Sequence, residues 1–232
     1  MPKFSIISIA KSEKELANLR KALAAQTLQD FEFITSTLGT IPEAWNDAIS
    51  RARGDYIIFI ESDSFPLNNH WLEEISHVAE KGAVFKGIEI NPTDLNLCNI
   101  VADASVIKAE RFDTSFSICE DTELFARLRS KGVKLATVMG FPAVHCPTLT
   151  WQKTMSRAFI RGVYFVKIFY MYGRENMDDI NRRRFRRNYI HPVGERIRVI
   201  TDEVLTLLGE FLGLIYCLPT LMKRRFNKKE RS

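Results

Sequence analysis

Residues 42–64 read PEAWNDAISRARGDYIIFIESDS, and this stretch decides the fold. Pro42 stands where a first-turn proline belongs, and Trp45, Ala48, Ile49 and Ala52 recur at helical spacing to form one apolar stripe. Gly54 is expected to close that helix. Tyr56–Ile60 (YIIFI) is then an unbroken apolar run, too short for anything but a strand buried on both faces. Two carboxylates, Glu61 and Asp63, leave the end of that strand.

The same alternation extends to both sides. Upstream, Phe4–Ile9 (FSIISI) reads as a buried strand, and Ser12 with Glu15 has the spacing of a capping box. Leu16, Leu19 and Leu23 follow on one helical face, and Phe31–Thr35 (FEFIT) is the next strand. Strand, helix, strand, helix, strand within 60 residues predicts an α/β fold with a mostly parallel sheet covered by helices on both faces. Downstream, Trp71, Leu72, Ile75 and Val78 predict a helix ended by Gly82. The stretches Ala83–Ile90, Val101–Ile107 and Val133–Val138 read as strands, and Glu120–Lys131 as a helix stopped by Gly132.

The chain has 232 residues, 46% of them hydrophobic and 26% charged, which excludes collagen-like, coiled-coil and wholly disordered chains. Its net charge of +5 conceals a division: residues 1–150 carry five more acidic than basic groups, and residues 151–232 carry ten more basic than acidic ones. Two domains are expected on that basis, 1–150 and a basic helical extension, 151–232. Cys98, Cys119, Cys146 and Cys217 are widely spaced and form no C-x-x-C pair, as expected of a reducing compartment. The opening MPKFSIISIA has no long apolar run before a small-residue cleavage site, so no secretory signal is expected.

Within the extension, Trp151–Tyr172 reads as a helix and Asn181–Asn188 (NRRRFRRN) is an arginine block. Val204–Met222 carries one charge, Glu210, and KRRFNKKER follows it. Glu210 and Pro219 argue against a simple membrane span. An interfacial helix flanked by Lys and Arg accounts for both the apolar stretch and the charges, and a helix packed on the first domain is the alternative.

In an open α/β sheet, ligands gather at the carboxyl ends of the strands. Glu61 and Asp63 leave such an end one residue apart and suit a hard divalent cation, which would neutralise a diphosphate. Without further context, the same residues suit a turn or a helix cap. Glu120 and Asp121 likewise stand where acidic residues favour a helix's first turn.

The stretch from Pro2 to Glu74 resembles the family 2 glycosyltransferases, whose fold is the Rossmann-like GT-A domain that binds nucleotide-diphosphosugars. The resemblance rests on PKFSIISIA, LANLRKALAAQTLQDFEFI, AWNDAISRARGDYIIFIESDS and WLEEI. Asn46, Ala48, Ala52 and Gly54 match the run that precedes the acidic D-x-D-type motif, in which Glu61 and Asp63 fall. A second match, SVIKAERFDTSFSICEDTELFARLRSKGVKL, is similar to the family's acceptor-side strand and E-D-x-x-L-x-x-R-L helix. Together the matches cover residues 2–148.

The resemblance implies that Asp63, with Glu61, holds Mg²⁺ or Mn²⁺ against the donor's diphosphate. It implies that Asp121 is the general base of an inverting transfer, and that His145 reaches the metal or diphosphate. Where the family commonly has a base-contacting carboxylate after the second strand, residues 34–40 read ITSTLGT. Base recognition then falls to backbone groups or to the hydroxyls of Ser36 and Thr37, and the alternative functions are a catalytically silent GT-A domain, serving as a membrane-bound assembly partner, or a basic peripheral nucleic-acid-binding protein.

The expected partners are a nucleotide-sugar donor, a lipid-linked or cell-surface glycan acceptor and, through the C-terminal part, an anionic membrane surface. The expected location is cytoplasmic, peripheral on the membrane's inner face. Nucleic acid is not expected as a partner: the arginine block belongs to no recognisable nucleic-acid module, and lipid phosphates account for the same charges. No Walker phosphate loop, G-x-G-x-x-G turn, G-x-S-x-G elbow or H-E-x-x-H zinc motif is present.

Overall fold

The computed structural model describes residues 2–90, 97–146, 151–177 and 204–215. The chain divides into two compact units, Met1–Thr148 and Leu149–Ser232. The first unit runs β1 (Phe4–Ile9), α1 (Ala17–Ala24), β2 (Phe31–Ser36), α2 (Ile41–Arg51), β3 (Tyr56–Phe59), β4 (Ser64–Pro66), α3 (Trp71–Val78), β5 (Ala83–Lys86) and β6 (Glu89–Ile90). It continues with β7 (Ile100–Asp103), α4 (Ala104–Glu110), α5 (Glu120–Ser130), β8 (Lys134–Thr137) and β9 (Ala143–His145).

The central sheet has the order β2-β1-β3-β7-β5-β8. β1 pairs in parallel with β2 and β3, and β5 in parallel with β8; β7 runs against both of its neighbours. Apolar runs such as YIIF are continuous because both faces of the sheet are covered. Ile57 and Phe59 pack with Trp45, Ala48 and Ile49 of α2 and with Leu124 and Leu128 of α5. Ile58 and Ile60 pack on the other face with Leu19 and Leu23 of α1 and Trp71, Leu72 and Ile75 of α3. Helices on both faces of a mostly parallel sheet match the predicted architecture.

Local readings differ in four places. First, the capping box lies on α2: the Thr40 N–H and hydroxyl both donate to the Glu43 carboxylate, at 2.7 and 2.9 Å. Ser12 and Glu15 do not cap α1, which begins only at Ala17, and Glu15 instead accepts from the Lys11 N–H. Second, Gly54 does not close α2, which ends at Arg51. A Cβ at Gly54 would stand 2.6 Å from the Phe4 carbonyl carbon and the Ser5 nitrogen, so glycine is needed for the chain to pass against β1. Third, Val101–Ile107 is not one strand: β7 stops at Asp103, whose carboxylate accepts from the Ser105 N–H and starts α4. Fourth, Ala83–Ile90 is broken at Gly87, where a side chain would collide with the Phe141 ring and the Asn99 amide.

The second break creates a small sheet of order β4-β9-β6. Asn99 supports it from a left-handed backbone position, φ 59°. Its Oδ1 accepts from the Trp71 indole N–H at 2.9 Å, and its Nδ2 donates to the carbonyls of Ile88 and Phe141. One buried amide thus ties α3, the β5–β6 turn and the approach to β9 together.

The second unit contains α6 (Trp151–Tyr172), a short 3-10 turn Arg174–Met177 and a helix over 204–215, termed α7. The arginine block and residues 216–222 of the predicted apolar segment lie outside the described residues, as does Cys217. Cys98, Cys119 and Cys146 form no disulfide among the described residues.

Candidate active site

β1, β2 and β3 are parallel, so their carboxyl ends open onto one edge of the sheet. At the end of β3 the chain makes a tight turn, the Ser64 N–H donating to the Glu61 carbonyl at 3.0 Å. That turn sets the Glu61 and Asp63 side chains near each other. β4 then pairs with β9 in antiparallel register, Ser64 opposite His145, and the Cys146 N–H donates to the Asp63 carbonyl at 2.9 Å. The ladder therefore carries His145, 82 positions further along the chain, onto the acidic turn.

His145 Nε2 lies 3.2 Å from a Glu61 oxygen and 3.4 Å from an Asp63 oxygen. One ligand atom from each of Glu61, Asp63 and His145 falls within 4.8 Å of the other two. Burial disfavours the His145 imidazolium, but hydrogen bonds to Asp63 and Glu61, together with their charges, outweigh it and push the pKa up to about 10. At neutral pH a proton thus joins the ring to the two carboxylates. A divalent cation would replace that proton, because an imidazole must be neutral to ligate. Two carboxylates and an imidazole nitrogen are a donor set that fits Mn²⁺, with Mg²⁺ favoured less by the nitrogen. Bound there, such an ion would neutralise a diphosphate leaving group.

Asp121 sits in the first turn of α5, following Cys119 in a left-handed conformation (φ 65°, ψ 23°). This sharp entry is a position that L-residues adopt at a cost of about 1–3 kcal/mol and one that recurs at functional sites. Arg127 anchors the helix: its guanidinium grips both oxygens of buried Glu123 at 2.8 and 2.9 Å and also donates to the Glu110 carboxylate and the Arg111 carbonyl. Asp121 Oδ1 accepts from the Thr122 N–H and hydroxyl. Burial first, and the charge of Glu61 second, push the Asp121 carboxyl up to about 6, against the Thr122 hydrogen bonds and the Lys86 charge. The acidic turn and Asp121 thus lie within electrostatic reach of each other.

Ser36 and Thr37 stand at the carboxyl end of β2, two strands from Glu61, which is roughly 10 Å across the sheet. The Ser36 hydroxyl is engaged locally by the Asp47 carboxylate and the Leu38 N–H. Thr37 is exposed. A groove of about 430 Å³ opens beside this turn, lined among others by Leu38, Gly39, Asn46 and Arg111. None of the Glu61–Asp63–His145 cluster lines it.

Two charged residues that the sequence did not single out border the site. Glu89, at the start of β6, is almost wholly buried, and its Oε1 lies 2.6 Å from Lys86 Nζ. Burial pushes the Glu89 carboxyl up, and the charges of Lys86 and His145 draw it back. Removing the cation as Lys86→Met is expected to cost about 3 kcal/mol by stranding a buried carboxylate. It should also move the acid limb of any Asp121-dependent pH–rate profile upward. Thermal unfolding together with that profile checks both effects, and Glu89→Gln in the same chain should recover most of the stability.

A sheet of this order, with an acidic turn and a histidine at its carboxyl edge, is a GT-A-type fold. Residues 6–93 match the family model described as Glycosyl transferase family 2, which bears out the resemblance read from the sequence over that stretch. No curated protein matches the chain. Among solved structures, S. aureus TarS 1–349 in complex with UDP-GlcNAc is 14% identical, with a TM-score of 0.57 over 86% of this chain and 79% of that one. The Pyrobaculum calidifontis mannosyltransferase PcManGT in complex with GDP-Man and Mn²⁺ is 11% identical, with a TM-score of 0.56 over 94% of this chain and 75% of that one. Another S. aureus TarS structure has a TM-score of 0.51 and 14% identity, with 75% of this chain covered; the match spans only 44% of that longer chain. At these identities the likeness is one of fold.

Proposed function

We propose that the protein is a metal-dependent, inverting glycosyltransferase that moves a sugar from a nucleotide-sugar donor to a lipid-linked or cell-surface glycan acceptor. Its working location is the cytoplasmic face of a membrane. The observation that carries this reading is the meeting of Glu61, Asp63 and His145 at the strand edge, with Asp121 in electrostatic reach.

Each residue has a role. Asp63, Glu61 and His145 would hold Mn²⁺ or Mg²⁺, which would neutralise the donor diphosphate. Asp121 accepts the proton of the acceptor hydroxyl as its oxygen bonds to the anomeric carbon from the side opposite the diphosphate. The bond from that carbon to the diphosphate oxygen breaks, and the nucleoside diphosphate leaves with the electron pair. A base with a pKa of about 6 is ionised at neutral pH yet takes up a proton more readily than an ordinary aspartate. The turn after β2 receives the nucleobase through backbone groups or the hydroxyls of Ser36 and Thr37.

Donor hydrolysis tests the reading, using a panel of UDP- and GDP-sugars with Mn²⁺ and with a chelator. Chelator-sensitive turnover of one donor is expected. A second reading, a silent GT-A domain, is favoured by the missing carboxylate after β2 and by the local engagement of the Ser36 hydroxyl. It predicts neither turnover nor metal-dependent nucleotide binding in calorimetry.

A further inference from the structure

Helix α7 shows which of its faces is turned inward. A side chain added at Gly209 would collide with the Phe159 carbonyl, and one at Gly162 with the Thr206 carbonyl. A Cβ at Gly213 would lie 3.1 Å from the Val163 Cα. The backbones of α6 and α7 therefore touch along 159–163 and 206–213, and Thr206, Ala158 and Ile168 are buried. Glycine contact of this kind leaves α7 no freedom to roll its other face inward.

That other face is apolar. Val204, Leu207, Leu208, Phe211, Leu214 and Ile215 are 38–61% exposed. Their spacing places all six on one stripe of the helix. A row of this kind does not stay in water without a partner.

Charge identifies the partner. Residues 151–232 carry an excess of ten positive charges, and Lys223, Arg224, Arg225, Lys228, Lys229 and Arg231 follow the stripe closely in sequence. A second copy of the chain would set like charge against like charge. A nucleic acid would satisfy the cations but leave the six apolar side chains wet. An anionic lipid surface satisfies both sets of groups. Among the described residues no helix is long and apolar enough to cross a membrane. The 12 described residues of α7 span roughly 18 Å against a hydrocarbon core of about 30 Å.

We propose that α7 lies in the plane of an anionic bilayer, with Val204, Leu207, Leu208, Phe211, Leu214 and Ile215 seated among the acyl chains and α6 bracing its glycine face. This rests on the membrane-facing reading of the protein given above and assigns the residues that make the contact. The device holds the catalytic unit near acceptors presented on lipid.

The full chain is floated with vesicles of phosphatidylcholine containing phosphatidylglycerol, and with phosphatidylcholine alone. Wild type is expected to float with the anionic vesicles, and L208E/F211E to lose that binding by about tenfold or more. Because charge substitutions can also unfold a helix pair, Phe211→Trp is measured separately. Its emission, taken as the difference from wild type, should shift to the blue on adding anionic vesicles. Undiminished flotation of L208E/F211E, or no shift for Phe211→Trp, overturns the proposal. So does a lipid-free dimer that L208E/F211E dissociates. Donor hydrolysis without vesicles is recorded in parallel: its absence in wild type counts against the transferase chemistry alone, and failed flotation counts against the docking face and the membrane location, not against that chemistry.

Discussion

If Asp121 is the base of the proposed transfer, Asp121→Asn is expected to slow sugar transfer by about 10²–10⁴-fold while leaving Mn²⁺-dependent donor binding intact, because it removes only the group that would take the acceptor's proton. Steady-state kinetics with a saturating donor should place the loss in kcat. Wild-type activity should fall as pH drops through about 6, where burial and the Glu61 charge hold the Asp121 carboxyl. Asp121→Asn should lose that limb. The same shift has a stability consequence of opposite sense. An acid whose pKa is higher in the folded protein than in the unfolded chain favours folding only while protonated, so its contribution is lost as pH rises from about 4 through about 6. At neutral pH, Asp121→Asn should therefore be slightly more stable than wild type, by roughly 1 kcal/mol, discounted for the part of the side chain that remains in water. A variant that is both inactive and more stable is a signature that a merely structural aspartate would not give.

Asp63→Ala is expected to abolish metal-dependent donor binding, with Mn²⁺ affinity reduced by about 100-fold or more, since even the outer partners of metal ligands contribute 10–100-fold. Thermal shift provides the measurement. Mn²⁺ with the correct nucleotide should raise the wild-type melting temperature, as any ligand of the native state does, and should leave Asp63→Ala unmoved. Wild-type protein treated with a chelator should behave like Asp63→Ala without unfolding, because the first unit's core of Trp45, Phe59, Trp71 and Ile58 owes nothing to the ion. Undiminished Mn²⁺ response in Asp63→Ala would move the metal elsewhere.

The opening half of the fold was legible because its signals are local. YIIFI is apolar at every position and FSIISI at all but Ser5 and Ser8, since residues on either side of the pleat meet a helix, and the stripe Trp45, Ala48, Ile49 marks one of those helices. The acidic turn was legible for the same reason, as it follows directly on a strand. What failed were boundaries set by tertiary contact. Asp103 ends β7 because its side chain caps the next helix, whereas Val101 to Ile107 alone look like one strand. Gly87 breaks a second apparent strand because Phe141 and Asn99, distant in sequence, crowd it.

That same break explains why nothing local in the sequence marks Lys86 and Glu89 as a pair. Residues three apart in a straight strand point to opposite faces, so the 2.6 Å contact between them exists only because the chain turns at Gly87. His145 was readable as a candidate only through the family resemblance. Its position depends on the Ser64–His145 register, a pairing across 81 residues for which local periodicity has no signal.

The central claim is that one crevice holds a cation on Asp63, Glu61 and His145 and faces Asp121. Anomalous diffraction from crystals grown with Mn²⁺ and the nucleoside diphosphate of the active donor tests it most directly. The account predicts a single manganese peak within coordination distance of Asp63, flanked by Glu61 or His145, with diphosphate oxygens on the ion and the Asp121 carboxylate open to the same cleft. A manganese peak away from Asp63, or Asp121 turned into a separate surface, would contradict it.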